Sequence, residues 1–288
     1  MASILTETRR LLLTHGLRPK RRLGQTFLID RTILRKIVEA GDLRWEDQVL
    51  EIGAGVGTLT QALAEHCRRV LAVEIDQGLF SILQQVLGDR PELTLVHGDA
   101  LHLDFERLLR GKERWKVIAN LPYSIATPLL ARLLSLSDRF SLLLLMVQAE
   151  VAERLMASQG KKAYGSLTVL TQYYTDVRGV MRVSPSAFYP KPRVDSVVLK
   201  LEPLPTPRVA PRDVALFFRL VRAAFGHRRK ILVNALMQSD WVALDRQELQ
   251  TVLMRAGIDP SRRGETLTLQ EFQSLADALA AALNDKGG

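Results

Sequence analysis

Five apolar runs rich in β-branched and leucine side chains, at residues 48–52, 70–75, 93–97, 115–119 and 142–147, are separated by stretches with helical spacing. Strands that alternate with helices pair parallel, because each crossover helix returns the chain to the same end of the sheet. The pattern therefore predicts an α/β fold with a Rossmann-like, doubly wound sheet. The fifth run leads into Gln148-Ala149-Glu150-Val151-Ala152-Glu153-Arg154-Leu155, which has helical spacing. Two further β-rich runs, 177–183 and 194–201, lie close in sequence and read as an antiparallel edge on that sheet. Four prolines among residues 203–212 (Pro203, Pro205, Pro207 and Pro211) form a stiff linker. Beyond it the β-branched runs stop, and residues 214–237, 247–256 and 269–283 read as helices. The expected division is residues 1–204 and a small all-helical domain at 205–288.

In such a sheet ligands sit outside the carboxyl ends of the strands, so the residues that follow each run carry the functional information. After the first run comes Glu51-Ile52-Gly53-Ala54-Gly55-Val56-Gly57, then a helix start at Thr58. Glycine lets the backbone approach a ligand closely, and Gly53 and Gly55 are the expected contacts. The spacing is G-x-G-x-G, which argues mildly against a dinucleotide pyrophosphate site. Glu74 ends the second run, 21 residues after Gly53, where an acid can accept both hydroxyls of a ribose. Asp99 follows the third run, where a carboxylate can accept from an exocyclic adenine amine. The alternative for either acid is an ordinary helix-capping or turn residue. Asn120-Leu121-Pro122-Tyr123 closes the fourth run. It offers an amide, a backbone carbonyl and an aromatic face, which together could grip the amino edge of a nucleobase. Alone, these four residues could be a mere turn. The four elements in this order resemble the arrangement found in S-adenosyl-L-methionine-dependent amino-methyltransferases.

Charge supplies the partner class. Of a net charge of +9, residues 1–22 carry six Arg/Lys against one Glu, and residues 214–238 carry five against no acid. Concentrated positive charge is the footprint of a polyanion binder, although a solvated face has the same composition. One cysteine, Cys67, excludes an intrachain disulfide framework and a cysteine-based zinc site, and no metal is expected. The longest apolar run, 142–147, is too short to span a bilayer. No membrane association is therefore expected, and with no signal-peptide pattern the cytoplasm is the expected compartment.

Six segments in order now support a resemblance: Leu23-Gly24-Gln25-Thr26-Phe27-Leu28, the glycine turn, Asn120 to Tyr123, Tyr164-Gly165-Ser166-Leu167, Phe188-Tyr189-Pro190-Lys191-Pro192-Arg193-Val194-Asp195-Ser196, and Phe225-Gly226-His227-Arg228-Arg229-Lys230. The chain resembles the ribosomal RNA adenine N6,N6-dimethyltransferases, and more closely their small-subunit branch. That resemblance implies an S-adenosyl-L-methionine site lined by Thr26, Leu28, Gly53, Glu74, Asp99 and Asn120. Thr26 stands where the family usually has Asn, and Thr lacks the amide's second donor. The resemblance further implies that Asn120 and the Leu121 carbonyl hold the target amine while Tyr123 and Phe188 stack on its ring. Arg21, Arg22, Arg222, Arg228, Arg229 and Lys230, with Arg18 and Lys20, would hold phosphates of 16S rRNA in the small ribosomal subunit. The implied activity is dimethylation of two adjacent adenosines during ribosome assembly, by a protein that needs no dimer. The alternatives are a 23S rRNA adenine methyltransferase of the antibiotic-resistance type and a non-catalytic RNA-binding assembly factor on the same fold.

Overall fold

The computed structural model describes residues 3–20 and 23–287, the side chains of 285–287 excepted. By contact density the chain forms two compact units, Met1–Ala152 with Asp176–Pro203, and Glu153–Thr175 with Leu204–Gly288.

The first unit is built on a seven-stranded sheet. Strands β2 (Gln48–Ile52), β3 (Arg69–Glu74), β4 (Leu93–His97), β5 (Trp115–Asn120) and β6 (Phe140–Gln148) contain the five expected runs, with ends moved by at most a few residues. With β7 (Thr175–Val183) and β9 (Ser196–Pro203), the spatial order is β4-β3-β2-β5-β6-β9-β7. β2 through β6 pair parallel, and β9 runs antiparallel to β6. Val49, Leu50, Val70, Val117 and Leu143 have at most 0% exposure, as expected of strands covered on both faces. The covering helices include α3 (Thr58–Ala64), α4 (Gln77–Leu87) and α6 (Ala126–Ser135).

The order matters more than the content. The chain leaves β2 in one direction through β3 and β4, then returns to place β5 on the other side of β2. The loops after β2 and β5 thus diverge, opening a crevice at the topological switch point. Gly53 and Gly55 follow β2 and Asn120 ends β5, so both enter one crevice. A second ladder, absent from the sequence expectation, joins β1 (Phe27–Leu28) to β8 (Phe188–Tyr189) with Phe27 opposite Tyr189 and Leu28 opposite Phe188. Two-residue strands carry no readable period, so this pairing is a tertiary result.

The second unit is helical. α8 (Ser166–Tyr174), α9 (Val214–Gly226), α10 (Leu232–Leu236), α11 (Arg246–Arg255) and α12 (Leu269–Gly287) surround a core that includes Tyr164, Tyr173, Phe217, Leu253 and Phe272. Two sequence expectations need correction here. The helix expected over 214–237 is two helices, broken between Gly226 and Leu232. The division expected at residue 204 is one crossing among several, because residues 153–175 also belong to this unit. Tyr164, Val169 and Tyr173 bury themselves among α9 and α12 side chains, and the Tyr164 hydroxyl donates to the Leu267 carbonyl at 2.9 Å. A proline-rich linker marks a stiff connection in the chain, whereas unit membership follows the apolar surface that is buried.

Candidate functional site

The glycine turn after β2 adopts positive φ at Gly53 (80°) and Gly55 (63°), where a side chain would be strained. Space is short as well. A Cβ at Gly53 would stand 3.1 Å from the Pro122 ring, and one at Gly55 would stand 3.2 Å from the Phe27 ring. The Gly53 amide donates to Val73 O at 2.9 Å, which ties the turn to β3. The Gly55 amide donates to Glu74 Oε2 at 2.8 Å.

Glu74 is 4% exposed, and its other oxygen accepts from the Asp76 amide at 2.8 Å. Burial pushes its carboxyl up, against the two amides, which favour the ionised form. Each oxygen keeps one lone pair, so the group is positioned by backbone donors and still able to accept. The cap of α4 is Asp76, not Glu74, which removes the helix-capping alternative for Glu74. Asp99 does make a turn bond, accepting from the Leu101 amide at 2.9 Å, and its second oxygen meets His102 Nδ1 at 2.8 Å. The Leu101 amide and His102 outweigh partial burial and hold Asp99 below the usual carboxylate range. Glu74, Asp99, Gly53, Gly55 and Asn120 all line one cavity, roofed by residues 23–27.

Asn120 carries the most specific geometry. Its Nδ2 donates to the Thr26 carbonyl at 3.1 Å, which orients the amide. Its Oδ1 is buried with no hydrogen-bond partner among the described residues. An orphaned buried acceptor costs about 1–3 kcal/mol and is uncommon in native proteins. The Thr26 carbonyl thus orients Asn120 through the backbone, a contact that does not depend on the side chain at position 26. Leu121 is 1% exposed and follows Asn120 in the cavity wall. Tyr123 is half-buried beside that wall, and its hydroxyl meets Ser196 Oγ at 2.6 Å. Burial raises the phenol, so it stays neutral.

One aromatic assignment comes out differently. Phe188, expected to stack on a substrate ring, is 2% exposed and packs with Leu28, Val183 and Val198. Opposite Leu28 in the β1–β8 ladder it offers no face to a base and instead braces the cavity's roof strand. Leu28, 5% exposed, lines a smaller cavity that shares Thr26, Gly53, Gly55 and Asn120 with the first.

The basic residues also divide. Arg21 and Arg22 lie outside the described residues. Lys20 is not a free cation, because its Nζ lies 2.5 Å from Asp76 Oδ2. Arg228 is committed within its own unit, with Nε 3.0 Å from Glu265 Oε2 and the guanidinium donating to the carbonyls of Lys162 and Tyr164. Arg222, Arg229 and Lys230 are exposed and free of partners among the described residues.

Glu51 is a site residue the sequence reading passed over. It lines the smaller cavity at 2% exposure, and its Oε2 has no hydrogen-bond partner among the described residues. Burial pushes its pKa to about 8, with the Glu74 charge adding to the rise. The Thr60 hydroxyl pulls the other way but makes no hydrogen bond of its own. The signal was present in the sequence: a carboxylate inside an otherwise apolar buried run is itself informative. Among the described residues no group of His, Cys, Asp or Glu is placed to hold a metal ion, and no helix is long and apolar enough to cross a membrane.

The chain is similar to known proteins along most of its length. The model of the family described as "Ribosomal RNA adenine dimethylase" matches residues 16–280. A ribosomal RNA small subunit methyltransferase A of Geobacter metallireducens is 48% identical over 268 residues, covering 92% of this chain and 97% of the relative. The protein of the same name from Clostridium botulinum is 47% identical over 257 residues, covering 89% and 92%. Among solved structures, a dimethyladenosine transferase from Plasmodium falciparum superposes with a TM-score of 0.72 at 28% identity, covering 91% of this chain and 98% of that one. Because the match takes in the glycine turn, both acids, the Asn120 loop and the helical unit together, the chain belongs to the ribosomal RNA adenine dimethylase family.

Proposed function

We propose that this protein transfers methyl groups from S-adenosyl-L-methionine to N6 of two adjacent adenosines in 16S rRNA of the small ribosomal subunit during its assembly. The observation that carries the reading is the Asn120 side chain, oriented by Thr26 and leaving a buried acceptor unpartnered in the crevice.

The cavity fits the cofactor in chemistry as well as position. The close-packed glycine turn leaves backbone, not side chain, facing the ligand. Glu74, fixed by two amides, would accept the ribose hydroxyls, and Asp99, held ionised, would accept from the adenine amine. Thr26 and Leu28 would cover it from the roof. When bound, S-adenosyl-L-methionine supplies an electrophilic methyl group on a sulfonium centre.

The chain's own work is positioning. An adenine amine is a poor nucleophile, because its lone pair is delocalised into the ring. Asn120 Oδ1 and the Leu121 carbonyl would accept the two N6 hydrogens, turning the lone pair toward the methyl donor and stabilising the positive charge that develops on nitrogen. Tyr123, its hydroxyl tethered to Ser196, would stack on the extruded base, a contact worth roughly 1–3 kcal/mol. The methylated cation is acidic and releases its proton to water, so no strong base is required. Arg222, Arg229 and Lys230 would contact phosphates, which position RNA without reading its sequence.

The direct test incubates the protein and labelled S-adenosyl-L-methionine with unmethylated small subunits, large subunits and DNA, and then analyses the modified nucleoside. Dimethyladenosine confined to small-subunit RNA is the expected result. Label in large-subunit RNA would instead support the antibiotic-resistance type, and no label at all would support the non-catalytic factor.

A further inference from the structure

The cavity's roof is held by a contact that its chemistry does not require. Residues 23–27 line the cavity, and all but Phe27 lie in the loop between α1 (Ile4–Thr14) and β1. Their anchor is Asp76, two residues beyond the proposed ribose acceptor. Asp76 is 4% exposed and uses its two oxygens for different purposes. Oδ1 caps α4, accepting from the Gly78 amide at 2.9 Å and the Leu79 amide at 3.2 Å. Oδ2 accepts from Lys20 Nζ at 2.5 Å and from Gln25 Nε2 at 3.3 Å. The loop is closed on itself as well, since the Lys20 amide donates to Gln25 Oε1 at 2.7 Å and the Leu23 amide to the Lys20 carbonyl at 3.1 Å. Beyond it Gly24, at φ 65°, lies so close to the Asn120 loop that a Cβ there would stand 3.1 Å from the Tyr123 amide nitrogen.

A single buried carboxylate thus ties the roof to the strand end that carries Glu74, whose own side chain accepts the Asp76 amide. We infer that the Lys20–Asp76 ion pair is a latch on the roof of the cofactor cavity, and that it sets how long S-adenosyl-L-methionine stays bound. Lys20 and Asp76 are positioning residues in this scheme. Neither lines the cavity, and both act through residues 23–27. Lys20 is thereby removed from the phosphate-binding set in which its place among arginines would put it. The inference rests on the proposed methyltransferase reading.

The test uses the full chain, with S-adenosylhomocysteine as the probe in stopped-flow dissociation. Asp76→Asn separates the two jobs of the carboxylate. Asn keeps a carbonyl oxygen for the α4 cap, where it ranks with Asp, but presents an NH2 group that cannot accept from Lys20. Lys20→Met removes the other partner. Each substitution is expected to speed probe release about tenfold, the equivalent of one ordinary charge-assisted hydrogen bond. The double variant is expected to match Asp76→Asn alone, because that substitution already removes the Lys20 contact along with the Gln25 one. Lys20→Arg is expected to restore release to within about twofold, since Arg offers equivalent donors to Oδ2. The KM for cofactor rises with release while kcat moves little, and affinity for RNA is unchanged. Wild-type release rates in both singles, or additive effects in the double variant, would overturn the latch. So would a Lys20→Met protein that loses RNA affinity with normal probe release. Should Asp76→Asn fail to fold, Lys20→Met and Lys20→Arg decide alone. A wild-type chain that does not bind the probe would fail the functional reading itself, a different outcome from a wild-type chain that binds it with no dependence on Lys20.

Discussion

Asn120→Ala separates activity from stability more cleanly than any other substitution in this protein. In the free protein the side chain makes one hydrogen bond, Nδ2 to Thr26 O, and leaves Oδ1 buried without a partner. Removing the bond forfeits about 0.5–1.5 kcal/mol, while removing the orphaned acceptor relieves a penalty of about 1–3 kcal/mol. Alanine also strands the Thr26 carbonyl, which takes back part of that relief. The terms nearly cancel, so the melting temperature should move by no more than about 4 °C, the shift that 1 kcal/mol produces in a unit of this size. Catalysis has no such compensation. An oriented group that meets developing charge in a water-excluded site is worth about 10²–10³ in kcat. The assay is single-turnover methyl transfer to unmethylated small subunits at saturating cofactor, with thermal unfolding measured on the same preparation. A rate within threefold of wild type would refute the role of Asn120. A large loss of stability would refute the claim that the acceptor is idle in the free protein.

Four further outcomes follow from the geometry. Glu51 has a native pKa near 8 against an ordinary 4.5, so the native state holds a proton that the unfolded chain releases. Stability should therefore fall as pH rises from 4.5 to about 8, by up to about 1.4 kcal/mol per unit. Glu51→Gln should gain in stability over that window and match wild type near pH 4, as read by chemical denaturation; a gain that does not vary with pH would be contrary evidence. Arg229→Glu should weaken rRNA binding and reduce its salt slope by about 0.7–0.9 per phosphate lost, with melting unchanged. Arg228→Ala should instead destabilise the helical unit by about 1–2 kcal/mol, because Glu265 and the carbonyls of Lys162 and Tyr164 lose their shared donor. Equal effects of the two on melting would contradict this division. Cys67, fully buried with its thiol pushed up to about 12 by burial, should resist alkylation in the folded protein at pH 8 and react on unfolding. Prompt labelling of the native protein would count against its placement.

Much of this protein was legible in one dimension. The central parallel strands were readable because a strand covered on both faces is mostly apolar, and 48–52 matches β2 end to end; 93–97 also matches β4, although that strand is a half-exposed edge. That Glu74, Asp99 and Asn120 line one cavity was readable because in such a sheet crevices open where strands end. What pattern could not supply were relations between segments distant in the chain. Strand order is one, and it alone brings the glycine turn and Asn120 into a single crevice. The burial of Phe188 opposite Leu28 is another, since an apolar residue in a motif reads the same whether it stacks on a ligand or braces a roof. Cations show the limit most clearly. Lys20, Arg228 and Arg229 look alike in sequence, yet the fold gives two of them carboxylate partners and leaves the third in solvent. Local propensity and periodicity are properties of neighbouring residues, so sequence settles the elements and the strand-end chemistry. Which charges are paired and which acceptors are left idle depends on what the folded chain brings within about 3 Å, the reach of a hydrogen bond, and tertiary structure alone decides that.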